Sequence, residues 1–196
     1  MDFPTNRITN EKLDMMALES NYPMNTLGIS MSYTYIASTA DIGWCDVLFA
    51  VDNGFLTHES AIEHAINEIK KTDSYPIEVF ELACIFKSEA QNHVIHQLLL
   101  ELTRYACDIE IAEAKSGVLY ILLNWVFEHR YLYEDPLRVV EFIYDDFGFP
   151  DLMRSFVRYV PNDNFLSCSI GLSKDRVYCY WSKFLDLQKA KYSITG

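Results

Sequence analysis

The chain has 196 residues, half of them hydrophobic and 14% aromatic, which is ample material for one domain core and argues against a disordered chain. Its formal charge of −12 is unevenly spread: residues 1–151 hold 25 acids and 9 bases, whereas residues 152–196 hold 3 acids and 7 bases. Such a body repels nucleic acid and anionic membrane and attracts basic partners, although plain solubility is also served by the charge.

Residues 1–37 differ in pattern from the rest and are expected to form an N-terminal arm or small appendage, with residues 38–196 as the helical domain. Thr5–Ser20 suits a short helix. Ile29–Ala37 (ISMSYTYIA) alternates and is rich in strand-favouring residues, so a short N-terminal strand or an extended arm is predicted there. Helical signals dominate from Asp41. Gly43–Asn53 carries Trp44, Val47, Leu48 and Val51 on one face, and Gly54 stands just past the end. Thr57 caps a second helix with a stripe of Ala61, Ile62, Ala65, Ile66 and Ile69.

Pro76 opens a third helix reaching Phe86. Ser88 with Gln91 makes a capping-box pattern for a fourth, striped by Val94, Ile95, Leu98, Leu99, Leu102, Tyr105 and Ala106. Asp108–Ser116 reads as a polar break. Gly117–Tyr133 is then a fifth helix, apolar almost all round except for Tyr120, Asn124 and Glu128. Asp135 and Pro136 cap and start a sixth, ending at Phe147–Gly148. Pro150 opens a short seventh, and Ser173 begins a last helix carrying Val177, Tyr178, Trp181, Phe184 and Leu185. The expected class is mainly α. Short links predict stacked antiparallel helical hairpins (43–71, 76–106 and 117–147), either a short solenoid or an irregular bundle.

Five cysteines without a CxxC pair fit a reducing cytoplasm, and Cys84 and Cys107 stand among apolar residues as buried thiols do. The N-terminus lacks a charged-then-apolar leader. The apolar run from Val118 to Leu123 is far shorter than the roughly 20 residues of a membrane span. His93 and His96 lie three apart, but helical phase exposes them opposite the apolar stripe and no third ligand follows at a recognisable spacing. Leu100 shares their side, which suits a second packing partner. His58 lies in a first turn, His64 points outward by phase, and His129 ends a helix among aromatics. No nucleophile stands beside a base and no glycine-rich phosphate loop is present, so no catalytic, metal or cofactor residue is expected.

The acids of residues 134–151 divide by cause. Asp135 is a cap, and Glu134 and Asp151 lie where a helix start welcomes negative charge. Asp145 and Asp146 lie in a last turn, where the dipole disfavours anions, and Asp145 follows Glu141 by four residues on one outward face. Charge kept in a locally unfavourable place suggests binding. Glu134, Glu141, Asp145 and Asp146, with the neighbouring Tyr133 and Tyr144, are therefore the candidate partner-binding residues.

Three segments carry a family resemblance: IGWCDVLFAVDNGFLTHESAIEHAINEI, then LYILLNWVFEHRYLYEDPLRVVEFIYDDFGFPDLMRSFVRYVP, then VYCYWSKFLDLQKAKY. The middle one is the most specific, with Trp125, Asp135–Pro136, Asp145–Asp146, Pro150 and Arg158–Tyr159 in matching order. Over roughly residues 40–190 the chain resembles a bacterial family of uncharacterised helical proteins, domain of unknown function 2247. Members look like immunity proteins found beside polymorphic or contact-dependent toxins. The resemblance thus implies a cytoplasmic, non-enzymatic inhibitor of a cognate toxin, such as a basic nuclease whose nucleic acid an acidic surface would mimic. A general helical adaptor is the second reading and a hydrolase with an unrecognised site the third. No oligomeric state follows from the sequence.

Overall fold

The computed structural model describes residues 7–86, 91–158 and 173–192. Among these residues the protein is mainly α-helical and has no strand. Contacts divide the chain into two compact units, one of Met1–Gly28 with Leu119–Ser193 and one of Ile29–Val118 with Ile194–Gly196.

The unit of residues 29–118 contains α2 (Tyr33–Thr39), α3 (Trp44–Asp52), α4 (Glu59–Lys71), α5 (Ile77–Cys84), α6 (Asn92–Leu102) and the first half of α7 (Asp108–Glu128). The strand expected at Ile29–Ala37 is not formed. Its alternation is real, because Ile29, Met31 and Tyr33 are buried and Ser30 and Ser32 exposed. No neighbouring strand completes a ladder, however, and the Ser32 hydroxyl accepts the Tyr35 N–H at 3.2 Å to start a helix instead. That helix packs on α4. α3 is entered from Gly43, whose N–H is held by the Asp46 carboxylate at 2.9 Å. It ends at Gly54, where φ is +71°. α4 packs on α5 and α6, and α3 also packs on α6, around a core that includes Val47, Phe55, Ile62, Leu82, Ile95 and Leu99.

The polar break expected at Asp108–Ser116 is also absent. Glu, Ala and Lys are good helix formers, so a polar stretch here means an exposed helix. The Glu110 carboxylate accepts the Cys107 N–H at 2.8 Å, and Asp108 and Glu110 in the first turn suit the helix dipole. The Ser88 half of the expected capping box lies outside the described residues. Cys84 and Cys107 are exposed, contrary to expectation: only Val79 and Leu82 of α5 are buried, Cys84 shares the outer side with exposed Phe80, and Cys107 sits in the α6–α7 link.

The other unit contains α1 (Asn10–Glu19), the second half of α7, α8 (Pro136–Asp146) and α9 (Lys174–Tyr192), with 3-10 turns at Arg130–Leu132 and Asp151–Met153. Its core is strongly aromatic. Trp181 is fully buried, edge-on to Phe127 at 5.0 Å and stacked with Phe156 at 6.2 Å between ring centroids. Tyr120, expected on a polar stripe, is buried and stacks on Tyr192. The N-terminal segment is bound here. The Ile8 N–H donates to the Leu132 carbonyl at 2.8 Å and the Glu134 N–H to the Ile8 carbonyl at 2.9 Å, in an isolated parallel bridge. Arg138 Nη2 donates to Asp14 at 2.6 Å. Gly148, at φ +77°, closes α8 as its sequence position predicts.

Candidate partner-binding surface

α8 begins with Asp135 and Pro136 because Pro is preset for a first helical turn. Its stripe of Leu137, Val140, Ile143 and Tyr144 is buried, so the opposite face carries the acids. The six residues singled out from sequence do not form one open surface. Tyr144 is only 1% exposed and Tyr133 only 4%, and both belong to the core. Burial raises the Tyr133 pKa to about 12. Glu141 receives Arg158 in a fork, from Nε at 2.7 Å and Nη2 at 3.1 Å, while Arg158 Nη1 reaches Asp135 at 2.7 Å. Asp135 thus occupies the cap position but turns its carboxylate to Arg158 rather than to its own helix. Asp146 is half-buried, not outward, and accepts the Thr26 N–H at 2.9 Å and the Thr26 hydroxyl at 3.0 Å. Burial raises its pKa to about 6, against the lowering effect of the two Thr26 bonds. Glu134 and Asp145 are exposed. Burial first, and Glu141 second, raise the Asp145 pKa. A shallow groove of about 320 Å³ remains between Arg138, Glu141, Phe142 and Asp145.

Of the histidines, His64 is placed differently from its helical phase. His64 is 7% exposed, because α2 folds onto α4 and covers it. Its Nδ1 lies 3.1 Å from the Tyr33 hydroxyl and its ring is edge-on to Trp44 at 4.6 Å. Burial lowers its pKa to about 4, so the ring is neutral at pH 7. His93 is exposed, and His96 Nε2 pairs with Asp52 at 2.8 Å, tying α6 to the end of α3. Among the described residues no group of three His, Cys, Asp or Glu side chains is arranged to hold a metal ion.

A second acidic surface, not singled out from sequence, lies in the unit of residues 29–118. That stretch holds 14 acids and 5 bases, a net of −9 out of the total −12. Leu48 and Phe49 of α3, Ala106, and Ile111 and Ala114 of α7 wall an apolar cleft of about 160 Å³, with Cys45, Asp52 and Thr103 at its polar positions. Burial raises the Asp46 pKa, and the carboxylates of Asp41 and Glu113 raise it further. Burial raises the Cys45 thiol as well, aided by Glu110 and Asp46. Acids from the start of α3 and the first half of α7 are therefore close enough to repel one another. Exposed apolar side chains accompany them: Tyr105 is 89% exposed and Ile109 71%, and Leu100 and Ile111 are also exposed. The signal is present in sequence as the alternation DIEIAE at 108–113, inside the stretch whose polarity suggests a break.

Residues 33–189 match the family described as "Uncharacterized protein conserved in bacteria (DUF2247)". The chain belongs to this family. The match begins at α2, somewhat earlier than the motif-based resemblance, and leaves the N-terminal segment that laces onto α8 outside the family region. No curated protein and no solved structure matches the chain. Among the described residues no helix of this family member is long and apolar enough to cross a membrane.

Proposed function

We propose that this DUF2247 protein is a cytoplasmic immunity protein that binds and neutralises a basic cognate toxin, without catalysis of its own. The observation that carries the reading is the concentration of charge. Nine of the twelve net negative charges fall in residues 29–118, where Asp41 and Glu113 add to burial in raising the Asp46 pKa and exposed apolar residues lie nearby. Mutual repulsion is unfavourable in the free protein and is relieved when a basic surface docks, which also speeds encounter. Exposed Tyr105 and Ile109 supply the apolar contact that charge alone does not.

The test is to recover the complex from the bacterial host, identify the bound protein and express it alone and with this chain. The expected result is a basic protein that arrests growth alone and is harmless when co-expressed. A bound protein that is not toxic, or whose toxicity persists in the complex, refutes the reading.

A further inference from the structure

We infer that the cleft between α3, the α6–α7 corner and α7 seats a lysine or arginine side chain from a basic protein partner. This rests on the reading above and specifies where and how contact is made. Cys45 and Asp52 lie two turns apart on α3, so the cleft runs about 10 Å along that helix. A long basic side chain has matching chemistry: an aliphatic stem that packs on apolar walls and a charged head that seeks an anion. Leu48, Phe49 and Ile111 supply the walls, and Asp52 faces the cleft at the C-terminal end of α3.

The charge at the cleft is one-sided. No basic side chain among the described residues lines it. At the Cys45 end, Glu110 and Asp46 are close enough to act on the thiol. Asp46 and Glu110 each hold a backbone N–H, of Gly43 and Cys107, contacts that fix their positions without neutralising their charge. Asp52 closes a helix C-terminus, where an anion is disfavoured, and its Oδ1 pairs with His96 Nε2 at 2.8 Å. A cation entering the cleft would therefore meet Asp52 in the lining at one end and the field of Glu110 and Asp46 beside Cys45 at the other. An acidic or purely apolar side chain would gain nothing from those ends, and the first would be repelled.

The experiment is a two-dimensional amide NMR titration of the full chain with an acetylated peptide of alternating Leu and Arg, and with its Leu–Glu counterpart, at low salt. The Leu–Arg peptide is expected to shift amides of residues 45–52 and 103–114, and the Leu–Glu peptide to shift none of them. Ile111→Lys places a cation on the exposed wall and should weaken the Leu–Arg peptide at least tenfold. Ile111→Val should bind as wild type does. Circular dichroism checks that both variants are folded. Shifts confined to other regions, no shifts at all, or wild-type affinity in Ile111→Lys overturn the inference. Binding at other acids would refute the cleft and leave the toxin-neutralising reading to its own co-expression test. Binding in the cleft with no neutralisation of toxicity would refute that reading and leave the cleft as a site for basic segments.

Discussion

Replacing Asp146 by Asn should stabilise the protein at neutral pH and make no difference in acid. In the folded protein burial holds this carboxyl at about 6, well above its ordinary 3.8. A carboxyl whose folded pKa is raised is penalised while ionised, fully so at pH 7. The penalty is relieved as pH falls through 6 and is gone below the unfolded value near 3.8. The gap between the two values is worth about 3 kcal/mol, and partial solvent exposure of the group reduces the usable gain to about 1–2 kcal/mol. Asn is the appropriate probe because both Thr26 bonds end on one oxygen, Oδ2, and an amide oxygen can accept them both. Urea unfolding followed by circular dichroism at pH 7, 5.5 and 4 reads the difference directly. The variant should lead by about 1–2 kcal/mol at pH 7, by less at 5.5 and by only a small remnant at 4. A variant less stable than wild type at pH 7, or a lead that does not change with pH, would show that the Thr26 bonds outweigh desolvation.

His64 titrates with the opposite consequence: its folded pKa is lowered to about 4, so its contribution is complete above about 6.5 and is lost as pH falls towards 4. His64→Gln should remove about 3 kcal/mol of that acid-side decline while lowering stability at pH 7 through lost packing, seen as a flatter plot of urea midpoint against pH. Arg158→Met leaves Asp135 and Glu141 part-buried without their shared cation and should lower stability by about 1–3 kcal/mol in thermal unfolding. Arg158→Lys should restore only part of this, because an ammonium cannot reproduce the forked contact. Gly148→Ala meets open space but must hold φ at +77°, so urea unfolding should report a loss of about 1 kcal/mol from the backbone alone.

Helix class and most helix ends were legible in the sequence because capping chemistry is local. Gly54, Pro136 and Gly148 each act within a few residues of where they stand and mark the expected boundaries, Pro76 directly precedes α5, and Asp135 holds the cap position of α8 while its carboxylate turns to Arg158. What misled was burial pattern taken as conformation. Ile29–Tyr33 alternates between inside and outside as a strand would, yet has no neighbour to pair with, and Ser32 turns it into a helix. Asp108–Ser116 is polar because it is exposed, not because the helix stops. The site was less legible for a different reason. Helical phase assigns a face only relative to one packing partner, whereas His64 and Asp146 are covered by segments distant in sequence, α2 and Thr26. No feature local to α4 or α8 announces those partners.

Unfavourable charge at a helix end admits two explanations, and this chain contains both. Asp145 and Asp146 drew attention because the C-terminus of α8 disfavours them. For Asp146 the compensation is intramolecular: Thr26 brings two donors from a segment outside the family match, beside the Ile8 bridge and the Asp14–Arg138 pair. Much of the α8 acid surface therefore holds the N-terminal segment, and Arg158 gathers Asp135 and Glu141 into the same structural role. Around the start of α3 and the first half of α7 such local roles cover Asp46 and Glu110 and not the acids that repel Asp46. Asp46 and Glu110 cap backbone groups, a role that one carboxylate fills as well as several. Neither Asp41 nor Glu113 is needed for that capping, and both make Asp46 harder to ionise. Charge that weakens the free protein, beside exposed Tyr105 and Ile109, is the feature that the proposed basic partner would explain.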